Sequence, residues 1–515
     1  MAQRGPYLLG IDAGTQSLRA LVVDVRGTEL GCGSQVYPTA YPHVAWAEQE
    51  PRLWWEAVRV AVPQAVAQAG ITARDIAGIS VSGTSSTTVA VAGNGEPLRP
   101  AIMWMDQRAT RQADEVTATG DPRLRYAGGV ESPEWNIPRA MWLRDNQPDL
   151  YEQADLLVEQ VDWLTHKLTG EWTTSLDIVS CKSHYVSVEG GWPTQLLAEL
   201  GISELQDKWP RTVLPMGAQA GELSATAAEQ LQLSSGIPVA AGGIDAHTAM
   251  LGIGVVEAGQ VGTAIGSSSC LVALSAEAIF GSHWWGPFPE AMIRGLWVLE
   301  GAQAATGSVV SWLADNFGYP QAPGCGDRFE ALDAQAAATP AGAEGLVVLD
   351  YWQGNRVPLR DPLARGAIWG LSLRHGIGHL LRAIYEGTAM GGRHIIEDLA
   401  GAGVQTASLR ACGGGTRSRL WMQIHADVLQ MPLLLTRQPQ AAALGTAICA
   451  ATGGGLYAGV GEASQQMVRL SAEVEPNAAN TGVYDALFDR YLRTYAALGS
   501  LMHESAEDGA GFEDS

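Results

Sequence analysis

The sequence is short of positive charge relative to its acidic residues. Its 515 residues include 32 Lys and Arg against 54 Asp and Glu, which gives a formal net charge of -22. A chain this acidic repels nucleic acid and anionic lipid, so a bound phosphate must be met by local backbone amides and a metal ion. We therefore expect neither nucleic-acid binding nor membrane binding.

The sequence also lacks paired cysteines and long apolar runs. Its six cysteines form no C-x-x-C pair, which argues against a zinc site and against a disulfide framework. They are Cys32, Cys181, Cys270, Cys325, Cys412 and Cys449. No uninterrupted apolar segment reaches about 18 residues, and none precedes the first predicted strand. We expect a cytoplasmic protein with reduced thiols in its core or loops.

Apolar residues and glycine are abundant, at 46% hydrophobic residues and 61 glycines. A chain of this length is too long for one core, and it suggests two domains of roughly 250 residues each. Short apolar runs recur along the chain and end in polar or glycine-rich turns, often before a helical pattern. This alternation predicts an α/β fold.

The most informative stretch, residues 242–247, lies near the middle of the chain. Residues 236–241 before it form a short apolar run that predicts a buried strand, and two glycines let the chain turn there. Asp245 would then lie at the carboxyl end of a strand, where open α/β sheets bind ligands and where a carboxylate can accept a proton from a substrate hydroxyl. The alternative is an aspartate that caps a helix beginning at Ala246.

A second candidate site lies near the start of the chain. Residues 7–11 and 18–24 predict the two strands of a hairpin. The turn between them contains Asp12, Gly14 and Thr15, which suit a phosphate with its magnesium ion, Asp12 facing the metal. The alternative is a hairpin that uses these residues only as turn formers.

A possible sugar site follows the next predicted strand, residues 76–83. That strand leads into a hydroxyl-rich edge at residues 84–87, and Trp104, Asp106 and Arg108 come soon after. Carbohydrate recognition uses such parts, since an aromatic ring covers the C–H face of a sugar and charged groups bind its hydroxyls. The alternative is a tryptophan at the edge of the core beside an exposed Asp/Arg pair.

Two charged residues outside these turns are further candidates for sugar contact. Lys182 lies in a predicted polar loop, residues 175–185, after a predicted helix at 156–167; the alternative is a solvated lysine. Glu300 precedes a predicted helix at 308–317 and could bind substrate hydroxyls, or could cap that helix. Gly307 would allow a nucleotide to approach closely.

The second half of the chain repeats the strand, Gly/Ser turn, strand pattern of the first hairpin at residues 262–274. A last predicted strand, starting at Leu409, ends in Gly413, Gly414 and Gly415 before a helix, which leaves room for a base and ribose or for phosphate oxygens. This turn has neither the Gly-Lys-Ser/Thr ending of a P-loop nor a G-x-G-x-x-G pattern. An amphipathic final helix precedes an acidic end.

Five of these motifs together resemble the FGGY carbohydrate kinases, in that family's order and over roughly residues 7 to 500. The motifs are Asp12-Ala13-Gly14-Thr15; Trp104-Met105-Asp106-Gln107-Arg108; Gly242-Gly243-Ile244-Asp245; Gly266-Ser267-Ser268; and Gly413-Gly414-Gly415 with Ser418, Trp421, Gln423, Ala426 and Asp427. The resemblance implies two RNase H-like domains of the actin/hexokinase type that flank a central cleft. It implies a mainly sugar-binding domain at 1–255 and a mainly ATP-binding domain at 256–500. The acidic composition of the end of the chain predicts a disordered tail at 501–515.

Within that family the sequence is most similar to the ribulokinase-type pentulose kinases. The residues that carry this similarity are Asp245-Ala246-His247, Cys181-Lys182, Trp285-Gly286-Pro287, Glu300-Gly301-Ala302-Gln303 and Gly354-Asn355-Arg356-Val357-Pro358-Leu359. The similarity implies that Asp245 is the base and that Lys182 and Glu300 hold the sugar. Two departures are Ser267, where the family commonly has threonine, and the many hydroxyls at residues 84–87.

Residues and resemblance together predict the contacts of both substrates. The predicted sugar contacts are Ser85, Trp104, Asp106, Arg108, Lys182, Asp245 and Glu300. The predicted ATP contacts are Asp12, Gly14, Thr15, Gln16, Arg19, Gly266, Ser267, Gly307, Gly413, Gly414, Gly415 and Ser418, and Asp12 and Asp245 are the predicted Mg²⁺ ligands.

The predicted reaction is phosphorylation of a primary hydroxyl of a small sugar by ATP, and a pentulose such as ribulose is the first candidate. Xylulose, glycerol and a tetritol are the alternative acceptors. An ATPase of the actin and heat-shock type is an alternative of another class, and a binding or scaffold protein without catalysis is a third. The sequence leaves the sugar's stereochemistry and the oligomeric state open, with a homodimer as the assembly considered.

Overall fold

The structure is a computed structural model that describes residues 5–317, 328–406 and 408–513. Cys325, one of the predicted reduced thiols, lies outside these ranges, and the other five cysteines are free thiols. No helix in the described part of the chain combines the length and the apolar character that a bilayer crossing needs.

The chain forms 21 strands in the ranges described. They are β1 Tyr7–Ala13, β2 Ser17–Asp24, β3 Glu29–Val36, β4 Glu48–Gln49, β5 Ile76–Gly83, β6 Thr88–Val91, β7 Ala101–Ile102, β8 Leu156–Glu159, β9 Thr173–Ser175, β10 Thr212–Leu214, β11 Gln219–Glu222, β12 Pro238–Ala240, β13 Val261–Ile265, β14 Ser269–Ser275, β15 Trp285–Pro289, β16 Trp297–Gln303, β17 Val347–Leu349, β18 Ala367–Trp369, β19 Leu409–Cys412, β20 Leu433–Thr436 and β21 Leu470–Val474. Together with the helices they make a mixed α/β protein.

Sixteen α-helices separate these strands, counted over the same described ranges. They are α1 Pro51–Ala69, α2 Thr110–Thr119, α3 Asn136–Asn146, α4 Pro148–Gln153, α5 Gln160–Thr169, α6 Leu176–Lys182, α7 Thr194–Glu199, α8 Ala225–Leu231, α9 Asp245–Gly252, α10 Gly307–Phe317, α11 Arg328–Ala337, α12 Ile377–Gly401, α13 Arg419–Leu429, α14 Ala441–Gly453, α15 Val460–Met467 and α16 Thr481–Glu513.

The chain divides into two compact units, each made of three segments. Unit 1 comprises Met1–Ala258, Leu274–Leu299 and Gln440–Arg469. Unit 2 comprises Gly259–Ala273, Glu300–Pro439 and Leu470–Ser515. This division differs from the single boundary at residue 256 predicted from sequence, because α14 and α15 are built into unit 1.

The centre of unit 1 is a six-stranded sheet in the order β11-β12-β5-β1-β2-β3. Strands β12, β5 and β1 run parallel to one another, so their carboxyl ends lie at one edge of the sheet. Strand β1 is buried along its whole length because helices cover both faces. Leu9 and Ile11 pack with Trp54 of α1, whereas a Cβ at Gly10 would overlap Ala443 O of α14.

Unit 2 repeats part of this plan. Its strands β14, β13, β19, β20 and β21 are neighbours in that order. Strand β13 pairs antiparallel with β14 and parallel with β19, as β1 pairs with β2 and β5 in unit 1. The predicted repeat of the first hairpin is therefore confirmed.

Two predicted elements are wrong. The helix predicted at residues 156–167 is β8 followed by α5, and the polar loop predicted at 175–185 contains α6. Leu156 to Glu159 pair with β6, a partner about 65 residues earlier that no local pattern shows. Every residue of α6 is buried, so the tertiary environment stabilises a helix rich in β-branched residues and serine, which have weak helix propensity.

The structure also differs from the predicted disordered tail at 501–515. Helix α16 continues to Glu513, because residues 501–508 include strong helix formers such as Leu501, Met502 and Glu504. His503 anchors this end of the helix through an Nε2 contact of 2.7 Å with Asp361 Oδ2, and Tyr495 donates a hydrogen bond to the same oxygen at 2.6 Å.

Candidate active site

The candidate site of unit 1 lies at the edge where β1, β5 and β12 end. Thr84 N, after β5, donates a hydrogen bond to Ala13 O of β1 at 3.3 Å. Gly83 N donates to Gly243 O, in the turn after β12, also at 3.3 Å. These bonds bring together three segments that sequence analysis treated separately: the turn after Asp12, the hydroxyl-rich residues 84–87, and the turn before Asp245.

Asp12 is buried at the end of β1. Its Oδ1 accepts a hydrogen bond from Ser82 Oγ at 3.1 Å, and Thr446 Oγ1 donates to Ser82 Oγ at 2.6 Å. Burial raises the pKa of Asp12 to about 6, although the Ser82 bond and the charge of Arg19 lower it. The Asp12 carboxylate is therefore an under-compensated buried acid, which suits a cation ligand.

Asp245 is the first residue of α9 and is half-buried. The strand, glycine turn and helix predicted around it are confirmed, except that the helix begins at Asp245 and Ile244 is its N-cap. Asp245 Oδ1 accepts a hydrogen bond from Ala246 N at 2.7 Å. The first turn of a helix favours a negative charge, so this position stabilises the carboxylate form of Asp245.

Tyr37 lies close to both carboxylates. Its hydroxyl donates a hydrogen bond to Gly14 O at 2.5 Å. Burial raises the pKa of Tyr37, and the negative charges of Asp12 and Asp245 raise it further. Tyr37 therefore stays protonated at neutral pH and marks the region that the two acids share.

The turn after β1 is also joined to the predicted aromatic contact. Trp104 Nε1 donates a hydrogen bond to Thr15 Oγ1 at 2.9 Å, and Gln49 Nε2 donates to Thr15 O at 2.7 Å. Trp104 is half-buried beside this turn. Gln16 and Arg19 are exposed, and Arg19 lies opposite Asp12 in the β1–β2 ladder.

Asp106 and Arg108, two of the predicted sugar contacts, form an ion pair with each other in the structure. The two side chains are fully buried and pair with each other, Arg108 Nη2 lying 2.7 Å from Asp106 Oδ2. Arg108 also pairs with Glu48 at 2.8 Å, and its guanidinium lies 3.8 Å from the centre of the Trp46 ring. Asp106 Oδ2 further accepts Ala47 N at 2.6 Å. The pair is therefore buried and ion-paired in this structure, and its predicted contact with the sugar stays a prediction.

The sugar contacts predicted for Lys182 and Ser85 stay predictions. Lys182 is the last residue of α6 and is buried, with Nζ 5.6 Å from the centre of the Trp135 ring. Burial raises the pKa of the Glu159 carboxyl, and the nearby charge of Lys182 offsets part of this rise. Ser85 is half-buried next to Ser86, whose φ of 57° is in the left-handed region.

The corresponding edge of unit 2 is built around the β13–β14 turn. Gly266 N donates to Ser268 O at 2.8 Å, and the backbone of α10 binds the same turn, since Gly307 N donates to Gly266 O at 3.0 Å and Ser308 N to Ser267 O at 3.1 Å. A Cβ at Gly307 would overlap Gly266 O. The absence of a side chain at Gly307 thus lets α10 contact the β13–β14 turn. The sequence instead predicts that Gly307 lets a nucleotide approach closely.

The glycine-rich turn after β19 lies beside this turn because β13 and β19 are parallel. Gly414–Arg417 form a 3-10 helix, and Ser418 caps α13 by accepting Trp421 N at 3.1 Å. A Cβ at Gly414 would meet no atom within 4 Å, so the turn is open at that residue. Glu300 lies in β16, where its Oε1 is 3.7 Å from Cys270 Sγ.

Sequence analysis missed several residues that position this site. Ser82 and Thr446 support Asp12, and Gln160 Oε1 accepts both Thr84 N and Thr84 Oγ1 at 2.9 Å. Asp177 and His247 form a buried pair beside Asp245. His247 lies inside one of the motifs quoted above. Ser82, Thr446, Gln160 and Asp177 carry no local pattern, because their partners lie 67 to 364 residues away in the chain.

Comparison with known proteins identifies the family. A model of the N-terminal domain of the FGGY family of carbohydrate kinases matches residues 7–252, and a model of its C-terminal domain matches residues 262–453. The chain belongs to the FGGY family of carbohydrate kinases. It is thus a sugar kinase, and sugar and ATP are the substrates of this reaction class.

Full-length relatives of this FGGY kinase are known. A ribulokinase from Anoxybacillus flavithermus is 31% identical, the match covering 96% of this chain and 94% of the relative. An FGGY carbohydrate kinase domain-containing protein from Xenopus laevis is 32% identical, with 95% and 96% coverage. The crystal structure of a xylulose kinase from Rhodospirillum rubrum superimposes with a TM-score of 0.85 at 31% identity, covering 96% of this chain and all of that one.

Proposed function

We propose that this FGGY kinase transfers the γ-phosphoryl group of ATP to a primary hydroxyl of a pentulose, with ribulose as the preferred acceptor. The full-length similarity to proteins named ribulokinase supports the acceptor class. The observation that carries the mechanism is the position of Asp245, a half-buried carboxylate at the edge where three parallel strands end.

Asp245 acts as the general base. A primary sugar hydroxyl is a weak nucleophile near neutral pH, so its proton must leave as the oxygen attacks phosphorus. General-base help of this kind accelerates such a step about 100- to 10,000-fold. Lys182, Ser85 and Trp104 orient the sugar on unit 1.

Asp12 holds the magnesium ion that accompanies ATP. The fit is chemical: Mg²⁺ prefers carboxylate oxygens, and Asp12 is a buried carboxylate whose pKa of about 6 shows that nearby groups compensate its charge incompletely. When bound, the ion neutralises charge on the phosphate oxygens. Thr446 and Ser82 fix the Asp12 side chain, and the backbone amides near Thr15 supply further donors to phosphate on unit 1. On unit 2 the backbone amide of Ser267 is the corresponding predicted donor.

Xylulose is the second candidate acceptor. The R. rubrum xylulose kinase matches this chain as well in sequence identity, at 31%, as the A. flavithermus ribulokinase does. Ribulose and xylulose differ in the configuration at one carbon, so a few side-chain contacts decide between them.

A coupled assay of ADP release tests the proposal. The panel contains D- and L-ribulose, D- and L-xylulose, pentitols, erythritol and glycerol, each with MgATP. We expect one ribulose enantiomer to give the highest kcat/KM, at least about tenfold above glycerol, a margin of about 1.4 kcal/mol. Highest turnover with xylulose would move the assignment to the second candidate. ATP hydrolysis that is indifferent to every acceptor would instead favour an ATPase.

A further inference from the structure

Asp177 makes two contacts on either side of Asp245 in the chain. It lies in α6, and its side chain is fully buried. Its Oδ2 accepts a hydrogen bond from Ile244 N at 2.8 Å, one residue before Asp245. Its Oδ1 lies 2.6 Å from His247 Nδ1, two residues after Asp245. One carboxylate therefore joins the end of the turn to the first turn of α9.

The turn is shaped to receive this carboxylate. A Cβ at Gly243 would overlap Asp177 Oδ2, so only glycine leaves room for the side chain at that position. Gly243 O in turn accepts Gly83 N, which fixes the other side of the turn to β5. The backbone before Asp245 is thus held from α6 and from the sheet together.

We propose that Asp177 is a positioning residue for the phosphoryl transfer, which fixes the direction in which Asp245 points through Ile244 N and His247. The inference rests on the proposed role of Asp245 as the base. Asp177 contacts no substrate in this proposal. Its effect is geometric: a shift of about 1 Å in a reacting group can lower a rate about 100-fold, and a charge-assisted hydrogen bond to buried backbone resists such a shift.

A buried metal ion is the rival interpretation of the same residues. Ligand atoms of Asp177, Cys181 and His247 all lie within 4.8 Å of one another. In a tetrahedral zinc site the bonds are about 2.0 to 2.2 Å long, which places two ligand atoms more than about 3 Å apart. The 2.6 Å between Asp177 Oδ1 and His247 Nδ1 is instead a hydrogen-bond distance.

The experiment compares four single variants of the full chain, one of which is Asp245→Asn, and the double variant Asp177→Ala/Asp245→Asn. Asp177→Ala removes both contacts, whereas Asp177→Asn keeps the shape and can accept Ile244 N while donating to His247 Nδ1. Asp350→Ala is the matched control, because Asp350 is also a buried carboxylate with two hydrogen bonds, from Gln303 Nε2 and Tyr491 OH, each 2.7 Å long. The measurements are kcat, KM and dissociation constant for the sugar, melting temperature, and metal content.

We expect Asp177→Ala to lower kcat about 30- to 100-fold while the sugar dissociation constant changes by less than about threefold. Asp177→Asn should restore kcat to within about fivefold of the parent. Asp350→Ala should lower the melting temperature by a similar amount and keep kcat within about threefold. Added to Asp245→Asn, Asp177→Ala should cause no further loss, because it acts through Asp245.

Other outcomes overturn the proposal separately from the function on which it rests. If Asp177→Ala behaves like Asp350→Ala while Asp245→Asn is inactive, positioning by Asp177 is wrong and the base assignment stands. If Asp245→Asn stays active, both fail. Two further results would overturn positioning through Asp245. One is a double variant whose loss of kcat equals the product of the two single losses. The other is a stoichiometric metal ion that is present in the parent and absent from Asp177→Ala.

Discussion

The two units use the same backbone plan at their sheet edges but place different chemistry there. In unit 1 the β1–β2 turn and the turn after β12 carry Asp12 and Asp245. In unit 2 the β13–β14 turn and the turn after β19 are built from glycine and hydroxyl residues, Gly266, Ser267 and Gly413 to Gly415, without a carboxylate. The sheet edge is polar in both units, but only the edge of unit 1 carries, in these turns, a carboxylate that can accept a proton.

The burial of a carboxylate alone does not show that it belongs to an active site. Burial raises the pKa of Asp350 in unit 2 to about 6, the same value as that of Asp12 in unit 1. Asp350, however, accepts hydrogen bonds from Gln303 and Tyr491 and is packed against α12 at Gly391. A raised pKa indicates function only where the geometry also leaves room for a ligand.

Asp245→Asn should cause the largest loss of kinase activity. Asparagine keeps the shape of the side chain but cannot take the hydroxyl proton, so we expect kcat to fall at least about 100-fold with the sugar dissociation constant within about threefold. Steady-state kinetics and calorimetric titration measure both. The control is Asp24→Asn, at the opposite edge of the same sheet, which should stay within about twofold. A loss smaller than tenfold for Asp245→Asn would remove its assignment as base.

Arg108→Ala should affect stability and leave sugar binding almost unchanged. Arg108 pairs with buried Asp106 and with Glu48, so its removal takes away the cation that pairs directly with the buried Asp106 carboxylate, at a cost of about 3 to 5 kcal/mol in the free energy of unfolding. Denaturant unfolding measures this loss, and KM for the sugar should change less than about twofold. Arg52→Ala breaks an exposed pair and should cost at most about 1 kcal/mol. A large rise in KM with normal stability would restore the predicted sugar contact.

Asp350→Asn should change how the stability of unit 2 depends on pH. The pKa of Asp350 is raised from 3.8 to about 6 in the folded state, so the folded state binds the proton more tightly and stability falls as pH rises from about 4 to about 6. Asp350→Asn should remove this fall in stability, which amounts to at most about 3 kcal/mol for about two pKa units. Urea unfolding at pH 4 and pH 7 measures the difference. Asp489→Asn, in an exposed pair, should leave the slope unchanged, and an unchanged slope in Asp350→Asn would contradict the shift.

Gly307→Ala should produce the smallest effect, confined to the edge of unit 2. The added methyl group would overlap Gly266 O and displace the β13–β14 turn, so we expect KM for ATP to rise about three- to tenfold, equivalent to about 1 kcal/mol. KM for the sugar should stay within about twofold. Gly376→Ala is the matched control, since Gly376 also lies at the start of a helix but has no atom within 4 Å of the added position. Equal effects on the two Michaelis constants would argue against a turn devoted to ATP.

Local patterns sufficed for the elements that form the two edges. Strands β1, β5, β13 and β19 and the start of α9 are predictable because each is an apolar run that ends in glycine or polar residues. The pairing of β8 with β6 and the burial of α6 depend on partners far away in the chain, which a single sequence does not show.

The same limit applies to individual site residues. Asp12 and Asp245 are predictable because each lies at or shortly after the end of an apolar run, whereas Thr446 contacts Ser82 across 364 residues of sequence. Asp106 and Arg108 have the composition of a sugar site, but their mutual pairing and the burial of their side chains are visible only in the structure. Composition thus identifies candidate side chains for a site, and the tertiary structure shows which partners each of them has.

Helix α14 has a consequence for how the protein is made. It contributes Thr446 to the support of Asp12 and covers β1 at Gly10, yet it follows two of the three segments of unit 2 in the chain. A fragment that ends at Ala258 would lack this cover and would leave one face of the first sheet open to solvent. During synthesis the amino-terminal segment therefore cannot complete its sheet packing until α14 has emerged from the ribosome.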